Sequence, residues 1–372
     1  MKLKLVLALA VFCVAQPAAA QFNELVVFGD STVDSGWWKG ALQGQCGSAP
    51  IPCTTGNPNK DPRIANAIAN GGTGAPVGVG LMNPEVLAGY YGLTVKPANQ
   101  PGGTNYAISG AVTAASAANG NIGNLNTNTT LPSTVQQMAN YLAGHGGAAN
   151  SQALYLIGSG GNDITFATTP GNFPNFAARQ AYLADQAATL ANAILNLQVT
   201  GAQHILVHGL RGDGTLAQYF TQQLFTDLSA LGVNFIGADV RSLVDAIELN
   251  PAAYGLTTTA LGVPGTGTAS ACVWEGPPAA VGWGQFCGLT EPGNPNNRAY
   301  LRSPTAQQTS LYSDDQHFSA AGQAILAAYD YNLLNAAAVP GPMVGAGLPG
   351  LALGFGGLIV WARRRRKRAL AA

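Results

Sequence analysis

The sequence has few of the residues that hold metal ions. Only five cysteines and four histidines occur among 372 residues. No two cysteines are separated by two residues, and no histidine stands near a cysteine in the chain. Structural zinc sites usually show such spacings. Their absence argues against a metal centre built on the cysteines.

Charged residues are also scarce, at 9% of the chain, and they are unevenly distributed. The lysines at 2 and 4 and the basic run 363–368 account for eight of the 17 basic residues, whereas all 17 acidic residues lie between these two ends. The part between them has 17 acidic against nine basic residues, a net charge of about −8. This charge argues against nucleic acid and anionic membrane surfaces as partners.

The first 20 residues have the pattern of a signal peptide. Two lysines precede an apolar run at 5–15, and the alanines at 18–20 fit the small-residue rule for cleavage after Ala20. The apolar run is too short to span a bilayer. We therefore predict that residues 21–338 form an exported domain, which is periplasmic, cell-surface or secreted.

Residues 339–372 have the pattern of a C-terminal sorting signal or membrane anchor. About 20 uncharged residues at 343–362 precede the basic run, and a helix of that length is about 30 Å long, enough to cross a bilayer. The basic run would stay on the cytoplasmic side. This layout resembles the PEP-CTERM signal of bacteria that make exopolysaccharide, which implies processing by an exosortase-like enzyme. Gly341 replaces the Glu of that signal, and a plain single-pass anchor is the alternative.

Four cysteines remain beyond the predicted cleavage site: Cys46, Cys53, Cys272 and Cys287. An even number of cysteines in an exported protein predicts disulfide bonds. Pairing of neighbours, Cys46 with Cys53 and Cys272 with Cys287, closes two short loops. We favour this pairing over the other two connectivities.

Short apolar runs predict four strands, at 25–28, 153–157, 204–208 and 233–236. Apolar residues at helical spacing fill the intervals between them. This alternation predicts an α/β fold whose parallel sheet is flanked by helices on both faces. Two stretches rich in glycine and proline, 37–61 and 250–304, interrupt the pattern, and each holds one cysteine pair. We predict that they are long disulfide-clipped loops at the active-site end of the sheet.

Ser31 directly follows the first predicted strand, in the sequence Gly29-Asp30-Ser31. At such a strand-to-helix turn its hydroxyl is exposed, and its own N–H points into the same space. This placement suits a nucleophile. A serine here is also a favoured helix N-cap, and the tripeptide alone occurs often by chance.

His317 is the one histidine of this sequence with an aspartate three residues before it. Asp314 can accept the proton on Nδ1 and hold the ring, which leaves Nε2 to take the Ser31 proton. Asp315 is a rival orienting acid, and an exposed loop histidine is the alternative without chemistry. The other histidines are poorer candidates, because they lie in a Gly-rich loop or in a predicted strand: His145, His204 and His208.

Gly110 and Asn162 are predicted to bind an oxyanion together with the N–H of Ser31. Gly110 lacks a side chain, so its backbone N–H can approach a substrate closely. Asn162 comes just past the second predicted strand, where active sites of open α/β sheets form, and its amide can donate. Such donors are worth about 3–4 kcal/mol each, although Gly and Asn are also common turn residues. We expect Asp163 to brace this loop.

The order Ser, Asp, His also occurs in α/β-hydrolases, but this chain has no Gly-x-Ser-x-Gly elbow. Four blocks between positions 25 and 334 instead resemble the GDSL, or SGNH, hydrolase family: Phe28-Gly29-Asp30-Ser31 with Asp34 and Gly36, Gly110, Gly160-x-Asn162-Asp163, and Asp314-x-x-His317. The resemblance implies a flavodoxin-like sheet, a triad and an oxyanion hole: Ser31, Asp314 and His317 for the triad, and Ser31, Gly110 and Asn162 for the hole. Three residues depart from the family pattern: Thr32 for the Leu of the motif, Trp37 where many members have Asn, and Ser109 for a Gly.

The resemblance further implies an exported serine esterase or lipase that hydrolyses acyl esters through an acyl-enzyme, without a metal or an organic cofactor. Two alternatives stay open: a carbohydrate O-acetylesterase acting on exopolysaccharide, and a catalytically silent surface module that binds polysaccharide or lipid. Four tryptophans are expected in the pocket loops, where they would line an acyl groove or stack on sugar rings: Trp37, Trp38, Trp274 and Trp283. We favour acyl esters of short to medium length over sugar acetates.

Overall fold

The computed structural model describes residues 22–42, 62–125, 131–263, 269–275, 282–289 and 299–338. Residues 18–336 form one compact unit. The predictions for the signal peptide, for the segment 339–372 and for the Cys46–Cys53 pair lie outside the described residues. Within the described ranges, no helix is long and apolar enough to cross a membrane.

The strands of the central sheet are β1 Glu24–Gly29, β2 Ala153–Gly158, β3 His204–His208 and β4 Ile236–Ala238. They are parallel and lie side by side in this order. All six residues of β2 are buried, as expected for a strand with helices on both faces of its sheet. The predicted parallel sheet of an α/β fold is confirmed.

A fifth extended segment, residues 104–108, lies beside the free edge of β1. The Tyr106 N–H donates to the Val27 carbonyl at 2.8 Å, and the Ile108 N–H donates to the Gly29 carbonyl at 3.1 Å. When this segment is counted second in chain order, the sheet has the order 2-1-3-4-5 of flavodoxin-like folds. Such sheets bind ligands at the carboxyl ends of the strands where the order reverses. Here that point lies between β1 and β2.

The fourth strand begins at Ile236, later than the predicted start at Val233. The Val233 N–H donates to the Leu228 carbonyl at 3.0 Å, and Gly232 has a φ of +69°. These are the features of a Schellman motif, which ends the preceding helix. Val233 is buried, and its hydropathy alone does not distinguish a strand residue from a buried helix cap.

Two layers of helices cover the sheet, because side chains alternate between its faces along each strand. The helices are α1 Trp37–Leu42, α2 Pro62–Ala69, α3 Asn83–Tyr90, α4 Thr134–Gly144, α5 Gly161–Thr168, α6 Phe176–Val199, α7 Thr215–Ala230, α8 Val240–Leu249, α9 Ala306–Thr309 and α10 Ala320–Ala338. Val26 and Tyr155 belong to an apolar cluster with α4, α6 and α7. Leu25 and Leu154 belong to another, with α3, α8 and α10.

A second, antiparallel sheet consists of β5 Cys272–Trp274 and β6 Ala299–Leu301. Cys272 forms a disulfide bond with Cys287, so the predicted pairing of these two cysteines is confirmed. The bond closes a segment that contains a short 3-10 helix, Trp283–Phe286. This segment contributes a hydrogen bond to the site described next.

Candidate active site

β1 ends at Gly29, two residues before Ser31, in a backbone conformation that favours glycine. Its φ is +150°, and a Cβ atom there would lie 1.9 Å from the carbonyl oxygen of Gly158 at the end of β2. Gln137 of α4 holds the same residue, since its Oε1 accepts the Gly29 N–H at 2.8 Å and its Nε2 donates to the Gly29 carbonyl at 2.9 Å. The turn that carries Ser31 is therefore fixed by a neighbouring strand and by a helix.

We expect Gly29→Ala to destabilise the protein by about 3 kcal/mol or more, because the new methyl group overlaps with a backbone oxygen of the adjacent strand. Urea unfolding measures this loss. Gly89→Ala is the control, because Gly89 lies in α3 and a Cβ there meets no atom within 4 Å. Alanine should even stabilise that helix, by up to about 1 kcal/mol. Equal stabilities of the two variants would contradict the steric role of Gly29.

Asp30 shapes the turn around Ser31 from inside the protein. Its buried side chain accepts hydrogen bonds at Oδ1 from the N–H and the hydroxyl of Thr32, at 2.9 and 2.8 Å. Burial raises the pKa of Asp30 against the effect of these bonds. Thr32, which departs from the family motif, thus ties the turn together, and Ser31 stands between the two partners with its side chain partly exposed.

Asp34 links this turn to the segment that carries Gly110. One carboxylate oxygen accepts two N–H groups of its own turn, and the other accepts the N–H and the hydroxyl of Ser109 at 2.8 and 2.6 Å. Asn124 donates to the Ser109 carbonyl at 3.0 Å. Because the peptide plane is rigid and trans, this bond directs the Gly110 N–H to the opposite side. Ser109, another departure from the family pattern, is therefore a bracing residue.

Asn162 lies in the first turn of α5, directly after β2. Its Nδ2 donates to the carbonyl of Ala111, the residue after Gly110, at 2.9 Å. An amide nitrogen has two N–H groups, so a second one can donate to a substrate. The neighbouring Asp163 is buried and accepts hydrogen bonds from the N–H and hydroxyl of Thr113 and from a tyrosine of α6. Burial raises the pKa of Asp163 to about 6, and its contacts brace this loop.

His317 and Asp314 form a buried pair. Nδ1 of His317 lies 2.8 Å from Oδ2 of Asp314, and the carboxylate also accepts the N–H groups of Gln316, His317 and Gly284 at 2.7 Å each. Burial would raise the pKa of Asp314, but the His317 charge and these bonds outweigh it and lower that pKa. Burial would lower the pKa of His317, but the Asp314 carboxylate outweighs it and raises that pKa. Asp314 therefore holds the His317 ring through Nδ1, and Nε2 lies on the opposite side of the ring.

Asp315, the rival orienting acid, has a different partner. Its Oδ1 accepts the N–H of Gly282 at 2.8 Å, and burial raises its pKa to about 6. Gly282 has a φ of +68°, and a Cβ atom there would lie 2.9 Å from Cε1 of His317. Asp314 is therefore the acid bonded to His317, whereas Asp315 holds a loop against the ring.

The disulfide-closed segment supplies one of the hydrogen bonds to Asp314. The donor is the N–H of Gly284 in the 3-10 helix next to Cys287. The indole N–H of Trp283 donates to the Cys272 carbonyl at 3.0 Å. The segment is thus tied to β5 by a covalent bond and by a hydrogen bond on either side of Gly284.

The four tryptophans predicted to line the pocket are core residues. Their side chains are 1–4% exposed, and all belong to the apolar cluster of α4, α6 and α7: Trp37, Trp38, Trp274 and Trp283. None of them lines the cavity described below. The prediction was wrong because the glycine- and proline-rich composition of these loops does not reveal that their aromatic residues fold back onto the core.

A cavity of about 230 Å³ brings Ser31, Asn162 and His317 together. Its wall is largely apolar and includes Ile164, Leu210, Ala217, Val240, Phe318 and Leu326. Gly110 does not line it, although its neighbour Ala111 is bonded to Asn162. In the part of the chain that the structure describes, no group of three or more His, Cys, Asp or Glu side chains could hold a metal ion. The arrangement suits a substrate with a polar reacting group and an apolar portion.

Sequence reasoning missed two residues of the cavity region and gave little weight to a third. His208, at the end of β3, lines the cavity. Its Nε2 lies 2.9 Å from Oδ2 of Asp330, which also accepts the Asn83 amide at 2.7 Å. Asp330 is an acid among the apolar residues of α10, a pattern that signals a buried polar pair. Arg211 also lines the cavity, and nothing in the sequence distinguishes it from a surface arginine.

Comparison with known proteins supports one family. A family model described as GDSL-like Lipase/Acylhydrolase matches residues 25–329. This range includes the predicted triad and oxyanion-hole residues, from Ser31 to His317, and ends one residue before Asp330. No curated protein matches the chain.

Proposed function

Because this chain belongs to the GDSL-like lipase/acylhydrolase family, we propose that it hydrolyses carboxylic esters, with Ser31 as nucleophile, His317 as acid–base and Asp314 as orienting acid. One observation carries the proposal. Ser31 and His317 line the same cavity, and the His317 ring is bonded on its Nδ1 side to the buried Asp314. A serine, a histidine and an acid in this relation can activate a hydroxyl for attack on a carbonyl.

In the first half-reaction, Oγ of Ser31 attacks the ester carbonyl carbon while Nε2 of His317 accepts the hydroxyl proton. The charge that develops on the carbonyl oxygen is bound by the N–H groups of Ser31 and Gly110 and by the Asn162 amide. As the bond to the alcohol breaks, His317 gives its proton to the leaving oxygen, and an acyl-enzyme remains. Water then attacks with His317 as base and releases the carboxylic acid and free Ser31. Asp314 stays ionised and stabilises the imidazolium.

We propose acyl esters of short to medium chain length as substrates. The apolar part of the cavity wall supports this choice, because an acyl chain is removed from water there. The alternative, a carbohydrate O-acetylesterase, drew support from tryptophans that would stack on sugar rings. Their burial in the core removes that support.

We also propose that residues 21–338 act outside the cytoplasm after removal of residues 1–20. Residues 339–372 would then anchor the domain or be cut by an exosortase-like enzyme. The charge and hydropathy patterns of the two ends support these assignments. The intact mass of the protein isolated from the cells that produce it distinguishes the anchored form from the cut form.

Hydrolysis of 4-nitrophenyl esters from acetate to palmitate tests the proposed function, together with titration by an organophosphonate. We expect activity that peaks beyond acetate and one phosphonate per molecule, located on Ser31 by peptide mass spectrometry. Activity on acetate alone would favour the O-acetylesterase. Absence of both hydrolysis and labelling would favour the silent binding module.

The pH dependence of kcat/KM should report the pKa of His317 in the free enzyme. Burial lowers this pKa, but the Asp314 carboxylate outweighs burial and raises it above the ordinary value of 6.5. His317 must be neutral to accept the Ser31 proton. We therefore expect full activity above the raised pKa and a loss as the pH falls through it. A midpoint at or below 6.5, measured with a neutral ester, would contradict the ion pair.

A further inference from the structure

We infer that the substrate carries an anionic group, a carboxylate or a phosphate, on the alcohol half of the ester, and that Arg211 binds this group. The inference rests on the proposed function, because it assigns a substrate class to the same cavity.

Four ionisable side chains line the cavity: Asp30, His208, Arg211 and His317. Three of them have hydrogen-bond partners within the protein, which are Thr32, Asp330 and Asp314 respectively. Arg211 is half-buried, and it forms no ion pair with a carboxylate of the described residues. Its guanidinium lies instead 5.0 Å from the centroid of the Tyr312 ring, and its partner there is the neutral side chain of Tyr312.

A nearby arginine provides a comparison. Arg241 donates to the Arg211 carbonyl at 3.2 Å, and its own charge is balanced by Asp245 and Glu248. A guanidinium that is partly removed from water without a counter-charge loses hydration, and for Arg211 the Tyr312 ring and hydroxyl replace only part of it because both are neutral. An anionic ligand in the cavity would supply the counter-charge. Carboxylates and phosphates both match the planar fork of arginine.

The role of His317 indicates on which side of the cavity the alcohol half of the ester lies. In the proposed mechanism, this residue protonates the leaving alcohol, so the alcohol half of the ester lies beside it. Arg211 lies on the same side: it packs on Tyr312, whose ring stacks on Phe318 with centroids 5.5 Å apart. The positive charge of Arg211 also opposes protonation of His317, as expected for neighbouring groups. The acyl half would then lie away from the arginine, against the apolar wall.

The apolar surroundings of Arg211 favour a fixed orientation of the guanidinium. A ring face attracts a cation and holds it within about 6 Å of the ring centroid. Tyr312 is buried, and so is Phe318 behind it. The arginine therefore rests on a rigid stack, which reduces the entropy lost when an anion binds.

Two esters with the same acyl group test the inference: 4-carboxyphenyl butyrate, which is anionic on the alcohol side, and 4-(methoxycarbonyl)phenyl butyrate, which is neutral. The measured quantity is the ratio of their kcat/KM values in each variant, so intrinsic differences in reactivity cancel between variants. We expect Arg211→Gln to lower this ratio by about 10- to 100-fold, as for loss of a hydrogen bond to a charged group. Arg211→Lys should retain part of the preference, since it keeps the charge.

Lys96→Gln is the matched control. It also removes one positive charge, but Lys96 is exposed and does not line the cavity. The kcat/KM ratio of the two esters in this variant should therefore equal that of the wild type. An unchanged ratio in Arg211→Gln would overturn the inference and leave the proposed function intact. Absence of Ser31-dependent hydrolysis of any ester by the wild type would overturn both.

Two further arms locate and identify the anion. Monophenyl glutarate and phenyl butyrate differ in charge on the acyl side. If Arg211→Gln changes the kcat/KM ratio of this pair but not that of the first pair, the alcohol-side assignment is overturned. If Arg211→Gln lowers kcat/KM more for 4-(butyryloxy)phenyl phosphate than for 4-carboxyphenyl butyrate, the natural alcohol carries a phosphate. On the unaltered protein, 4-hydroxybenzoate should inhibit more strongly than its methyl ester. Equal inhibition would contradict the anion site even if Arg211→Gln does not fold.

Discussion

Ser31→Ala is expected to lower kcat for ester hydrolysis by at least about 10⁴-fold, because the other hydroxyls of the cavity wall, those of Thr32, Ser159 and Thr165, are hydrogen-bonded to protein groups. The remaining rate would come from the oxyanion donors and from substrate binding alone. The protein should stay folded, since the Ser31 side chain is partly exposed and the bonds of Asp30 to Thr32 do not involve it. Steady-state kinetics and thermal unfolding measure the two quantities.

Ser151→Ala is the control for this experiment. Ser151 is exposed and lies outside the cavity, so the same loss of a hydroxyl should leave both hydrolysis and unfolding temperature unchanged. The Ser31 variant should also lose the phosphonate label that the control keeps. Retention of the label in Ser31→Ala, or hydrolysis at the control rate, would show that another residue is the nucleophile.

Asp314→Asn is expected to lower kcat by about 10⁴-fold, comparable to the loss seen when the buried acid of a catalytic triad becomes an amide. The Asn amide would donate to Nδ1 of His317 and force the ring proton onto Nε2, the atom that must accept the Ser31 proton. Removal of the carboxylate also removes the interaction that raises the His317 pKa. The acidic limb of the pH profile should therefore move to lower pH in the residual activity.

Asp315→Asn is the matched control, because it changes the adjacent carboxylate in the same way. Asp315 accepts its hydrogen bond from Gly282 and not from His317. We expect a loss of less than about 10-fold, since the loop bond is weakened but the imidazole keeps its partner. A larger loss in Asp315→Asn than in Asp314→Asn would reverse the assignment of the orienting acid.

The placement of the candidate site residues at one edge of the sheet was more predictable than the framework that holds them. Ser31 and Asn162 could be placed near each other because each comes within five residues of the end of an apolar run, and the carboxyl ends of neighbouring parallel strands meet at one edge of a sheet. Asp314 and His317 are three residues apart, so their contact is local. By contrast, Gln137 contacts Gly29 across 108 positions, and no local pattern marks a long-range polar contact.

In the fold, too, features with a local sequence pattern were predictable and features without one were not. Buried parallel strands are continuous apolar runs, which is why the sheet was predicted. Residues 104–108 were missed because this edge segment is short and forms only a few bonds to β1. The tryptophans were misplaced because composition indicates that a segment is a loop but not which of its side chains turn inward. Thr32 and Ser109 depart from the family motif, and only the structure shows that their hydroxyls compensate by bonding to Asp30 and Asp34.

The covalent tie beside Gly284 has a consequence for when the protein becomes competent. Disulfides form and persist in oxidising compartments, whereas cysteine thiols stay reduced in the cytosol. Before the Cys272–Cys287 bond forms, the segment that carries the Gly284 N–H lacks its covalent tie to β5. We expect a newly synthesised chain to have low esterase activity until oxidation completes the support of the proposed triad. Maturation of this kind would protect the esters of the producing cell from its own product.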